Sequence, residues 1–159
     1  MSIIFSGSEL VEIAIGIEKN GAAFYQALAD RTRNDQTRAI YEHLAEEEIK
    51  HQNTFQNMLK TVGEYQPPSD YAEDYRLYLK SLVDSSVFTD TAHAQQIAAR
   101  VNSEAEALDI GIRAEKDSIL FYTEMKDIVK PVDQKVILNI INQEREHLAQ
   151  LTQLKKSIS

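Results

Sequence analysis

Along most of this chain apolar residues return every three or four positions, the period of a helix with one buried face. The stretch "SELVEIAIGIEKNGAAFYQALADR" shows the pattern, and three further stretches repeat it. The periodicity predicts four long helices, over about Glu9–Thr32, Gln36–Val62, Glu104–Val129 and Pro131–Lys156. Pro131 stands at a first-turn position, where proline costs no hydrogen bond. The polar turns "RTRND" and "KPVD" are short, so helices one and two, and helices three and four, should form antiparallel hairpins.

Between the hairpins lie 40 residues, Gly63 to Asn102. "QPPSD" breaks any helix there, and short helices are expected near Tyr71–Val83 and Thr91–Ala99. A bundle loop is normally far shorter, and a crossover of this size can travel back along a helix about 40 Å long. The expected fold is therefore all-α: a ferritin-like four-helix bundle of two antiparallel hairpins joined by a long crossover. Its parts are hairpin one at about 6–62, the crossover at about 63–102 and hairpin two at about 103–157, in one domain spanning 1–159.

The hairpins are related in sequence. Shifted by 97 residues, Ser6, Glu9, Ile13, Ile15, Glu18, Lys19, Phe24 and Tyr25 fall on residues of the same type. Their counterparts are Ser103, Glu106, Ile110, Ile112, Glu115, Lys116, Phe121 and Tyr122. Each copy opens with Ser-x-x-Glu, a capping box that should start both helices at the same relative point. At a shift of 96, "EEIKH" (47–51) meets "QEREH" (143–147).

Composition narrows the function. With 43% hydrophobic and 26% charged residues among 159, the chain can bury a sizeable core. No apolar run is long enough to span a membrane, and a net charge of −8 argues against nucleic acid as a partner. The absence of cysteine excludes disulfides, thiolate metal sites and iron–sulfur clusters. The amino-terminal residues lack the features of a signal peptide, so a cytoplasmic location is expected.

The repeat places carboxylates where apolar residues are due. Glu48 and His51 interrupt the stripe Ile40, Tyr41, Leu44, Phe55, Met58, Leu59 and Val62. Glu144 and His147 stand among Ile137, Ile140, Ile141, Leu148, Leu151 and Leu154. Glu18 and Glu115 interrupt the first and third helices in the same way. Glu18 is 14 residues before Thr32, and Glu48 is 12 after Gln36. Glu115 is 14 before Val129, and Glu144 is 13 after Pro131. Within each hairpin the two acids thus lie at nearly one height, and four carboxylates and two imidazoles can converge on one level of the core. Such a cluster repels itself unless cations neutralise it. A Glu from each of two helices with Glu-x-x-His from each of the others is the ligand set of di-iron and di-manganese carboxylate bundles. Nitrogen and oxygen ligands suit either metal.

The motifs "IEKNGAAFY" with "LAEEEIKH", and "AEKDSILFY" with "INQEREH", resemble the rubrerythrin-type branch of the ferritin-like superfamily over nearly the whole chain. The resemblance implies two iron ions held by Glu18, Glu48, His51, Glu115, Glu144 and His147, with Glu48 and Glu144 as bridges. Tyr25 and Tyr122 match the family's tyrosines beside the site; from spacing alone they either bond ligand carboxylates or fill the core. Two departures stand out. The cysteines of a rubredoxin segment, which delivers electrons in full-length rubrerythrins, are not among these residues. Ser118 occupies the position of a further Glu that many members carry.

The implied activity is oxidation of Fe(II), or reduction of O₂ or hydrogen peroxide, with an external electron donor closing any cycle. An iron carrier or sensor without turnover, and a metal-free structural bundle, are the alternatives. Family members commonly assemble as homodimers or larger forms. Glu47 is within reach of the site, but its repeat partner is Gln143, so Glu48 is the better ligand. Glu46, Glu47 and Glu146 are expected in solvent, as are His43 and His93. Leu77, Leu79, Val87 and Phe88 are expected to pack the crossover on the bundle or to form part of a dimer interface.

Overall fold

In a computed structural model that describes residues 5–62 and 73–158, six helices account for the architecture. They are α1 (Gly7–Arg31), α2 (Asp35–Val62), α3 (Glu73–Asp84), α4 (Thr91–Arg100), α5 (Glu104–Ile128) and α6 (Pro131–Ile158). No strand occurs among the described residues. The bundle is all-α, and the long helices end within two residues of the expected points. "QPPSD" and the expected start of α3 at Tyr71 lie outside the described residues.

Local chemistry fixes the helix ends. At α1 the Ser6 hydroxyl accepts the Glu9 N–H at 3.1 Å, and the Glu9 carboxylate accepts the Ser6 N–H at 3.1 Å. This is a complete capping box. At α5 the Ser103 hydroxyl accepts the Glu106 N–H, but the Glu106 carboxylate turns back to the N–H of Asn102 at 2.8 Å. The second box is therefore half-formed, although both helices start at the same relative point as predicted. Between α1 and α2, Asn34 accepts the Thr37 N–H at 2.9 Å. Arg38 donates to the Thr32 carbonyl at 2.6 Å and the Ala29 carbonyl at 3.3 Å. A cation on those last carbonyls satisfies the end of α1 and complements its dipole.

The core falls into two apolar clusters. One gathers Leu10, Val11, Phe55, Phe121, Met125 and Ile137 with their neighbours. The other gathers Phe24, Leu28, Tyr41, Leu44, Leu108 and Leu151. Each long helix contributes to both, and the segment between its two contributions carries Glu18, Glu48 with His51, Glu115, or Glu144 with His147. A polar layer thus separates two apolar ones. Burial of each large side chain contributes about 1.5–3 kcal/mol, and the clusters hold the four helices in register on either side of that layer.

The crossover packs on the first helix of each hairpin: α4 lies against α1, and α3 against α5. Arg31 donates to the Ala98 carbonyl at 2.6 Å, and Tyr75 to Glu124 at 2.8 Å. Phe88 packs on Phe24 with ring centroids 4.8 Å apart and the rings tilted by 37°. Leu79 and Phe88 are buried as expected, but Leu77 is 58% exposed. The face of α3 that turns to α5 carries Tyr75, Leu79 and Val83, and Leu77 falls on the opposite side.

Candidate metal centre

All six ligand candidates are buried in the middle layer, none more than 4% exposed. Their ligand-type atoms form two overlapping groups, each within 4.8 Å: Glu18, Glu48, His51 and Glu144, and Glu48, Glu115, Glu144 and His147. Glu48 and Glu144 belong to both. The equal heights read from sequence are thus the geometry of the core.

The histidines point inward through Nδ1. His51 Nδ1 lies 2.6 Å from Glu144 and 3.4 Å from Glu18. His147 Nδ1 lies 3.3 Å from Glu48, 3.8 Å from Glu115 and 3.9 Å from Glu144. The two rings stack with centroids 5.7 Å apart. On its outer edge His51 donates Nε2–H to the Gln143 carboxamide oxygen at 2.8 Å, which leaves Nδ1 to face the cluster.

Both tyrosines donate to ligand candidates, and each to the opposite repeat. Tyr25 reaches Glu115 at 2.5 Å, and Tyr122 reaches Glu18 at 2.5 Å. Two small residues allow close approach. A methyl group on Gly21 would stand 3.1 Å from Glu48 Oε2, and one on Gly111 would stand 3.4 Å from the Tyr25 hydroxyl.

The electrostatics are those of a buried, mutually repelling carboxylate cluster. Burial, then the Glu144 charge, raises Glu18. Burial followed by neighbouring carboxylates, Glu144 foremost, pushes Glu48 and Glu115 well above the usual range. Glu144 is also buried, but its close approaches to Glu115 and His51 and the charges of both imidazoles hold it below its ordinary value. His51 is desolvated, yet Glu144 and Glu18 push it up to about 10. Burial lowers His147, with Glu144 opposing. Protons are thus doing the neutralising.

Seven buried atoms of this layer lack a hydrogen-bond partner: one oxygen each of Glu18, Glu48 and Glu115, both oxygens of Glu144, and Nδ1 of each histidine. The close approach of His51 to Glu144 is not aligned as a hydrogen bond. Buried polar atoms rarely go unpaired, and all seven are metal-ligating types in two groups with two shared carboxylates. A pair of divalent cations suits that donor set. Among the described residues one other buried side-chain atom is unpaired, Asp133 Oδ2 in the first turn of α6.

The rubrerythrin family profile matches residues 9–155. The chain belongs to the rubrerythrin family. It is similar over 98% of both chains to a Thermotoga maritima protein described as ferritin-like and diiron-carboxylate, at 30% identity and a TM-score of 0.74. A hypothetical protein of Pyrococcus furiosus shares the fold at 19% identity and a TM-score of 0.71, covering 96% of this chain and 89% of that one. No curated protein matches.

In this rubrerythrin-family bundle three features escaped the sequence reading. Gln143, noted in the sequence only as the repeat partner of Glu47, holds the outer face of His51. Glu47, expected in solvent, is half-buried, pairs with Lys50 at 2.5 Å and lies near enough to His147 to feel its charge. Gly21 makes room for Glu48. The repeat register was the available signal: it aligns Glu47 with Gln143, two positions that each face the histidine of the opposite hairpin. Glu46, Glu146 and His43 are exposed, while His93 is half-buried and accepts the Thr89 N–H at 3.1 Å.

Proposed function

We propose that this protein is a di-iron carboxylate oxidoreductase in which Glu18, Glu48, His51, Glu115, Glu144 and His147 hold two iron ions and react with O₂ or hydrogen peroxide. The observation that carries this reading is the pair of overlapping ligand groups with seven unpaired buried atoms between them. Glu18 and His51 would hold one ion, Glu115 and His147 the other, and Glu48 and Glu144 both. Bound there, two ferrous ions supply two electrons, enough with two protons to take hydrogen peroxide to two waters or dioxygen to hydrogen peroxide.

The chain's own residues set the conditions for that chemistry. The apolar clusters above and below flank the layer and hold its carboxylates in place. Tyr25 and Tyr122, which burial and then Glu115 or Glu18 hold in their protonated form, orient the outer carboxylates by donation. Gln143 fixes the tautomer of His51. A reductant from outside the chain would return the electrons.

A carrier or sensor without turnover is the second reading. Ser118 favours it, since a serine there offers no additional carboxylate for ligand exchange. Mixing the ferrous-loaded protein with O₂ and with hydrogen peroxide in a stopped-flow instrument decides between them. Oxidation within seconds, restored by added reductant over repeated turnovers, supports the oxidoreductase. Metal retained without oxidation overturns it in favour of the carrier.

A further inference from the structure

The long helices do not close completely at the level of the centre. Gly21 and Ser118 occupy equivalent positions of the repeat, each three residues after its helix's ligand candidate. Both are small, and both line a cavity of about 50 Å³ between α1 and α5. Its inner end is formed by Tyr25, Glu48 and Glu115, and its walls by Ile13, Ile17 and Phe121. Ser118 turns its hydroxyl away to the Ala114 carbonyl at 3.0 Å. The outer end is the last turn of α3 with the link to α4, where Val83, Ser86 and Val87 are half-buried. Asp117 pins this roof by accepting the Val87 N–H at 3.3 Å.

We infer that this chamber admits a small uncharged oxidant, of the dioxygen or hydrogen peroxide class, to the Glu48–Glu115 edge of the centre. The inference rests on the metal-centre reading above and adds a route and a size limit to it. A water needs roughly 10–15 Å³ of such space, so the chamber holds only a few molecules of that size. Most of its wall is apolar, with Asn20 and Asp117 the polar side chains on the way to the two carboxylates, so it suits a small uncharged molecule. Of the ligand candidates only Glu48 and Glu115 line the chamber, so the oxidant meets the His147 half of the centre first.

The test compares the native chain with Val87→Trp, which plugs the outer end, and Val87→Ala, which widens it and keeps the fold even if the tryptophan is not accommodated. Xenon serves as an apolar probe, since dry apolar cavities bind it. Native protein should take up xenon in this chamber, and Val87→Trp should lose it. Both variants should bind as much anaerobic Fe(II) as the native chain. With Val87→Trp, oxidation by O₂ or by hydrogen peroxide should slow by at least about tenfold, and the oxidant that slows is the one that uses the route. With Val87→Ala, a bulky alkyl hydroperoxide should gain on hydrogen peroxide as oxidant. Full iron loading with unchanged oxidation rates in both variants overturns the route alone. A native chain that binds no iron overturns the metal-centre reading and the route with it.

Discussion

Glu144 joins both ligand groups, and its charge raises the pKa of the three other carboxyls of the layer. Around it three side chains have a supporting contact: Tyr122 on Glu18, Tyr25 on Glu115 and Gln143 on His51. Removing a support should weaken metal binding without removing a ligand. Tyr122→Phe deletes the donor to Glu18 and should lower affinity about 10–100-fold at that half of the site, measured by competition with a chelator. Gly21→Ala brings a methyl group to 3.1 Å from Glu48; the shared carboxylate must shift, and affinity should fall at both halves by a similar factor. The six buried Glu and His residues were legible in the sequence because charge in an apolar stripe is conspicuous and the repeat shows it twice. Their supports were legible only in part: bonding of Tyr25 and Tyr122 to ligand carboxylates was one of two readings, and it is the one the structure shows. Periodicity reveals the face on which Tyr25 lies, but not that its hydroxyl crosses to Glu115; helix spacing hides the pairing of Gln143 with His51 because they lie on different helices.

Among the elements, each long helix holds the layer in place through apolar residues on both sides of it. Leu44→Ala in one cluster, or Ile141→Ala in the other, should cost about 2–5 kcal/mol in urea unfolding of the metal-free protein, since both side chains are fully buried. The helix boundaries were legible to within two residues because Ser6, Ser103 and Pro131 are chemical start signals. The half-formed box at α5 was not legible, since Asn102 N–H and Ser103 N–H compete for one carboxylate and only the backbone path decides. The crossover was the least legible part. Short helices were expected, but which bundle helix each would cover depends on contacts such as Phe88 on Phe24 that leave no period in the sequence. Exposure of Leu77 follows from the same uncertainty of face in a short amphipathic helix.

At the scale of the molecule, the buried layer couples stability to pH and to metal. Glu18, Glu48 and Glu115 hold protons in the fold that the unfolded chain has released. Their contribution is complete below the ordinary carboxyl value and is lost as pH rises through the raised ones. His51 acts in the same direction, its contribution complete below 6.5 and lost as pH rises toward about 10. Glu144 and His147 oppose them, since both are held below their ordinary values and their contributions are lost as pH falls, for Glu144 in the acid range and for His147 below 6.5. The metal-free protein should therefore melt at progressively lower temperature as pH rises from 6.5 toward about 10. Metal replaces those protons, so the loaded protein should lose this decline and gain stability at neutral pH. Calorimetry in buffers of different ionisation enthalpy should show protons released on loading.

The measurement that bears most directly on the dinuclear centre is iron bound per chain after anaerobic loading, in the native sequence and in Glu144→Ala. About two ions per native chain are expected, with both lost or severely weakened in the variant, because Glu144 belongs to each ligand group. A native chain that binds no iron, or a variant that still binds two, would contradict a centre bridged by that carboxylate.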